Sequence, residues 1–253
     1  MIIDISYFNT ITDWNKVKES VDGIIIRMGY TGYGSGKCTF DKQYYNNLLK
    51  CEALAIPYGV YYFPASINKV EAEKEADFIY DALASRRPDL GVWLDSEIAD
   101  VKSKKGRADN LSREKRTEFL HIIIERLKLL DITAGVYASQ SWLLNQLDMA
   151  QLAGVPVWAA QYNSKHECTY PGDYVLFQYS SKGSIPGIAG NVDLNVKHEG
   201  IAGGVVYEER TNLKDAIETI AQLVVAGYFG RGHEQRKNSI YELIRKRVND
   251  ILK

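Results

Sequence analysis

The chain has 253 residues, 45% of them hydrophobic and 25% charged, with a formal net charge of −1. That is room for one barrel-sized domain with a small appendage, or two medium domains, and the near-zero charge argues against wholesale binding to nucleic acid or an anionic membrane. Three cysteines without paired spacing (Cys38, Cys51, Cys168) argue against a disulfide framework, and no run approaches the roughly 18 apolar residues of a membrane span.

In chain order, Ile2–Ile5 reads as a strand that begins without the basic and apolar regions of a signal peptide. A helix is expected near 14–21, with Thr12 or Asp13 as its cap. Gly23–Met28 is a second strand, and a glycine-rich loop then leads to a helix expected over 40–54. Tyr58–Phe63 is the third strand. A helix follows over 70–83, with Ala72, Ala76, Ile79, Tyr80 and Leu83 at helical spacing. Val92–Asp95 is the fourth strand, and Ser112 caps a long helix to about Leu130. Ala134–Ala138 is the fifth strand, with a short helix at 142–147. Val157–Gln161, Val175–Tyr179 and Val192–Leu194 follow as strands with no helix between them.

Continuous apolar strands separated by amphipathic helices argue for a parallel sheet covered by helices. The expected fold is an α/β barrel of (β/α)8 type with an incomplete helical jacket, five βα units and then three bare strands. Residues 1–198 would form it, with 199–210 as a linker. In 211–253, Leu213, Ile217, Ile220, Ala221 and Val224 make one helical face, and Ser239 with Glu242 fit a capping box for a last helix. About forty residues are marginal alone. This all-α module is therefore expected to pack on itself, on a copy from another chain as a homo-oligomer, or on the barrel. It carries eight Lys/Arg against five Asp/Glu, which reads as a solvated helix surface, with attraction to an anionic partner as the alternative.

Four acids, Asp4, Asp95, Glu97 and Asp193, each fall where a short apolar strand is expected to end. In barrels of this kind chemistry gathers at the carboxyl ends of the strands. Residues i and i+2 of a strand share a face, so Asp95 and Glu97 would lie about 7 Å apart above Trp93 if the strand stays regular. Paired carboxylates are what glycoside hydrolysis requires, one protonated to donate and one ionised to stabilise the sugar cation. A metal site of Asp oxygens and structural salt bridges are the alternatives these residues leave open.

Several segments then occur in the order found in family 25 glycoside hydrolases: Asp4-Ile5-Ser6 with Trp14, Ile25-Ile26-Arg27, Gly59-Val60-Tyr61-Tyr62-Phe63, Leu94-Asp95-Ser96-Glu97, Val136-Tyr137-Ala138-Ser139, Val157-Trp158-Ala159-Ala160-Gln161-Tyr162, Phe177-Gln178-Tyr179-Ser180-Ser181, and Gly187 through Asn195. Over residues 1–198 the chain resembles these lysozymes (muramidases), common among phage endolysins. The resemblance implies cleavage of the β-1,4 bond between N-acetylmuramic acid and N-acetylglucosamine in peptidoglycan, without cofactor or metal. It implies Glu97 as proton donor, Asp95 as the carboxylate that steadies the intermediate or the substrate acetamido group, and Asp4 and Asp193 as acids that tune the pair. Tyr61, Tyr137, Trp158, Gln178 and Arg27 match substrate-binding positions. Tyr62, where many relatives carry His, and Gln161, in an often charged position, depart from the pattern and bear on subsite preference.

Residues 220–236 with 245–249 resemble the short CW_7-type cell-wall-binding repeat. That implies muropeptide contacts from Tyr228, Phe229, Arg231 and Arg236. An endolysin of this kind is expected to be made in the host cytoplasm and released through a holin. A non-catalytic wall-binding protein on a degenerate barrel is the competing reading.

Other signals carry less. Thr31-Gly32-Tyr33-Gly34-Ser35-Gly36-Lys37-Cys38 fails a phosphate loop at Thr31 and Cys38 and reads as a flexible βα loop beside the cleft. His166 and Cys168 are too few for zinc, and His121 sits within a helix.

Overall fold

The computed structural model describes residues 1–100, 102–103 and 105–198. The expected linker, the C-terminal helices and the four wall-contact residues Tyr228, Phe229, Arg231 and Arg236 lie outside the described residues.

The described elements are β1 (Ile2–Ile5), β2 (Thr10–Ile11), α1 (Trp14–Ser20), β3 (Gly23–Thr31), β4 (Cys38–Phe40), α2 (Tyr44–Leu54), β5 (Tyr58–Phe63), α3 (Lys69–Leu83), β6 (Val92–Asp95), α4 (Arg113–Leu129), β7 (Ala134–Ser139), α5 (Gln140–Asn145), β8 (Val157–Ala160), β9 (Leu176–Gly183), β10 (Ile188–Ala189) and β11 (Val192–Lys197). Four helices start on a side chain that accepts orphan N–H groups: Asp13 for α1, Asn68 for α3, Ser112 for α4 and Ser139 for α5. Each such cap stabilises by about 1 kcal/mol.

Eight strands close into a barrel in the order β1-β3-β5-β6-β7-β8-β9-β11, with β11 returning to β1. Six neighbouring pairs, from β1–β3 to β8–β9, are parallel. The expected parallel sheet holds for these six pairs and is corrected at β11, which is antiparallel to both β9 and β1. No helix lies between β9 and β11 to turn the chain back, so β11 returns in the reverse direction.

A second correction concerns the glycine-rich segment. Cys38-Thr39-Phe40 pairs antiparallel with Gly29-Tyr30-Thr31, so residues 32–37 turn a β-hairpin rather than a βα loop, and the helix expected from Phe40 begins at Tyr44. Gly29 is required there: a Cβ would stand 2.3 Å from the Thr39 carbonyl oxygen.

The apolar strands serve two layers. Outward residues such as Ile3, Ile24, Ile26, Val92, Leu94 and Val136 pack under the helices in the main core. Inward residues Ile2, Ile25, Trp93, Trp158 and Leu176, with Tyr61 and Tyr137 against them, form a separate plug inside the barrel. Gly135 leaves room for this plug, because a Cβ there would lie 2.4 Å from the Trp93 ring. The side chain of Trp93 also satisfies its indole N–H, donating to the Leu90 carbonyl at 2.7 Å.

Candidate active site

Period-2 alternation places the acids. Two residues beyond an inward Ile2 comes Asp4, and two beyond the inward Trp93 comes Asp95. Asp4 therefore lies within β1 rather than closing it. Asp193 is the second residue of β11, not the residue after a strand; because β11 runs backwards, its first residues reach the rim where the parallel strands end. Asp4 and Asp193 are direct cross-strand partners. β6 stops at Asp95, so Glu97 stands on the following loop and not on a regular strand. These four acids, with Tyr61, Tyr137, Trp158, Tyr162 and Gln178, line one cavity of about 180 Å³. Its floor is aromatic: Trp158 meets Tyr137 edge-on at 4.6 Å and Trp93 at 5.8 Å between ring centroids.

A hydrogen-bonded lattice fixes Asp4. Gln178 Oε1 accepts from the Tyr137 hydroxyl at 2.8 Å and from the Tyr162 hydroxyl, which turns its Nε2 donor toward Asp4 Oδ2 at 2.8 Å. Asn195 Oδ1 accepts the Trp158 indole N–H at 2.9 Å, so its Nδ2 donates to the same Asp4 oxygen at 2.8 Å. Both amides are thus oriented by aromatic donors behind them. Tyr162 and Asn195 escaped the sequence reading. Each only ends a motif of the family resemblance: Tyr162 lies beyond its strand, and the place of Asn195 two residues after Asp193 is the signal that points to it.

Crowded acids in a desolvated pocket hold protons to unusually high pH. Burial, and then the charge of Asp193, push the Asp4 carboxyl up to about 7 despite the two amide donors. Burial and the charges of Glu97 and Asp4 raise Asp95 well above the ordinary range, tempered by Arg27. Burial also raises Asp193, which its hydrogen bond with Asp4 partly offsets. Glu97 keeps surface open to solvent at the mouth, yet the surrounding walls displace much of its water. That desolvation, with the charge of Asp193, pushes its carboxyl up to about 7. One buried oxygen, Asp95 Oδ1, has no hydrogen-bond partner. Such an atom costs free energy until something donates to it. Among the described residues no group of three or more His, Cys, Asp or Glu side chains has an arrangement suited to a metal ion.

Arg27 lies elsewhere than the acids' floor. It pairs with buried Asp41 at 2.7 Å and its guanidinium sits 5.0 Å from the Tyr7 ring, 5.2 Å from Phe8 and 5.7 Å from Tyr30. Arg27 and the three rings line a larger trough of about 490 Å³ that shares Tyr61, Asp95 and Glu97 with the acidic cavity. Tyr62 faces the other way. It is fully buried under α3, its hydroxyl 2.7 Å from Thr31 Oγ1, so it does not reach the site. Gln161 bonds Thr169 and is likewise absent from the cavity lining. His166 has the Tyr179 ring beside it, and the three cysteines are free.

The sequence profile of Glycosyl hydrolases family 25 matches residues 3–188. The autolytic lysozyme of Clostridium acetobutylicum is 28% identical over 224 residues, 87% of this chain and 63% of its own length. The modular autolysin LytC of Streptococcus pneumoniae, at 28% identity, superposes with a TM-score of 0.67 over 78% of this chain and 46% of its own; it has also been solved in complex with a synthetic peptidoglycan ligand. The spore cortex lytic enzyme SleM of Clostridium perfringens shares the fold with a TM-score of 0.67 at 21% identity, covering 79% of this chain and 67% of its own. The chain therefore spans under two thirds of the length of the lysozyme and about half that of the autolysin.

Proposed function

The chain belongs to glycosyl hydrolases family 25, and from this we propose that it is a peptidoglycan hydrolase that cleaves the β-1,4 bond between N-acetylmuramic acid and N-acetylglucosamine. The convergence of Asp4, Asp95, Glu97 and Asp193 on one aromatic-floored cavity at the strand-end rim supports the reading most directly. Glu97 is the general acid. Its carboxyl stays protonated near neutrality because the walls exclude water and Asp193 supplies a nearby negative charge. As the glycosidic C–O bond breaks, that proton passes to the leaving oxygen; water then gives its hydroxyl to the anomeric carbon and its proton back to the Glu97 carboxylate, so one water is consumed per bond cleaved.

Asp95 steadies the reacting sugar. Its unpartnered Oδ1 accepts the N–H of the substrate's acetamido group and holds that group beside the anomeric carbon. Asp4 and Asp193 share a proton and set the field that Glu97 feels. The trough beside the cavity, with exposed Tyr7, Phe8 and Tyr33, offers ring faces to neighbouring sugars of the strand.

Glu97→Gln tests the assignment. The variant should lose turbidity reduction of purified cell walls by at least about a thousandfold, the scale of a lost general acid with its field, while its circular dichroism and Tm stay close to wild type. Full retained activity would refute the role.

A further inference from the structure

β6 ends at Asp95, leaving the residue that carries the proposed proton donor outside the sheet. Two clamps hold that loop. On the near side, Ser96 donates its backbone N–H to the Tyr137 carbonyl at 2.9 Å, and Ser96 Oγ accepts the indole N–H of Trp142 at 3.2 Å. On the far side, the Asp109 carboxylate accepts the backbone N–H groups of Ala99 at 2.8 Å, Asp100 at 3.1 Å and Gly106 at 2.8 Å. Glu97 is held between them.

Arg116, on α4, joins the two clamps. It is buried, its guanidinium lies 4.8 Å over the Trp142 ring, and Nη2 donates to the carbonyls of Asp109 at 3.2 Å and Leu111 at 3.3 Å. Its Nε has no partner. A buried guanidinium satisfied mainly by carbonyls and a ring face contributes little net stability. Its effect is geometric: it presses the indole of Trp142 into one orientation. The Ser139 side chain, capping α5 at the backbone N–H of Trp142, fixes the same residue from its own helix.

We propose that Trp142, acting through Ser96, is a positioning residue for the Glu97 carboxyl. The inference rests on Glu97 being the general acid. The indole N–H holds Ser96 Oγ, which limits rotation of the Asp95-Ser96-Glu97 segment and keeps the donor aligned with the leaving oxygen. Misalignment penalises the chemical step more than binding, because neither Trp142 nor Ser96 lines the acidic cavity or its attached aromatic trough.

The test is a double-mutant cycle on the full chain, assayed on purified peptidoglycan beside wild type. Trp142→Phe keeps a ring over Arg116 and removes the N–H; Ser96→Ala removes the acceptor. Each should lower kcat about tenfold with KM within about twofold, and Tm should move by no more than about 2 °C. The double variant should be no slower than the worse single one, since both remove the same contact. Amide hydrogen exchange at residues 96–98, read without substrate, should speed up in both variants while the amides of β6 do not change. Wild-type kcat in Trp142→Phe and Ser96→Ala, multiplicative losses in the double variant, or unchanged exchange at 96–98 would each overturn the proposal. A wild-type chain that releases no reducing ends would instead overturn the reading of Glu97 as acid.

Discussion

At the scale of single residues, the site is a problem of proton placement. Four carboxyl groups in one pocket cannot all be ionised, and their raised affinities for protons follow from burial and mutual repulsion. Two consequences are measurable. First, kcat/KM should fall as pH rises through about 7, where Glu97 loses its proton. Asp193→Asn removes the charge that favours that proton, so the alkaline limb should move to lower pH; a limb that stays in place would contradict the proposed coupling. Second, folded carboxyls with raised pKa values bind protons that the unfolded chain has already released, so their contribution to stability is present below about 4 and is lost as pH rises toward 7. Asp95→Asn cannot titrate. Its Tm should exceed wild type by a few degrees (~3 °C) at pH 7 and match it near pH 4; equal differences at both pH values would count against a strained acid cluster.

At the scale of elements, much was written in local sequence. β6 matches the expected bounds, and Asp13, Ser112 and the helices they cap follow from capping chemistry and periodicity that act over a few residues. The direction of β11 could not be read this way, because alternation of inward and outward side chains looks the same in a strand run either way. Likewise Cys38-Thr39-Phe40 reads as a strand only when Gly29 is known to lie against it. Asp4, Asp95 and Asp193 were legible as acids beside apolar runs, but Tyr162 and Asn195 act through bonds to Gln178 and Asp4 across the barrel, which no local pattern encodes. The plug beneath the acids leaves no room for a side chain at Gly135. Gly135→Ala should destabilise by about 1–3 kcal/mol in urea unfolding, because the new methyl group overlaps the Trp93 ring. An unchanged midpoint would mean that the ring is free to move, and with it the floor of the cavity.

At the scale of the whole molecule, one closed barrel carries the acids on the rim where its parallel strands end. Among the described residues no helix is long and apolar enough to cross a membrane. We propose that residues 211–253 serve wall attachment, so a chain ending at 205 should retain hydrolysis of soluble glycan fragments and bind walls more weakly in sedimentation. Equal wall retention by the two forms would remove that role. If the acid cluster cleaves the glycosidic bond on the muramic acid side, the products carry the signature. Purified peptidoglycan digested by the full chain, reduced with borohydride and analysed by mass spectrometry, should yield fragments ending in reduced N-acetylmuramic acid. Fragments ending in reduced N-acetylglucosamine, or no new reducing ends at all, would rule out muramidase action by this site.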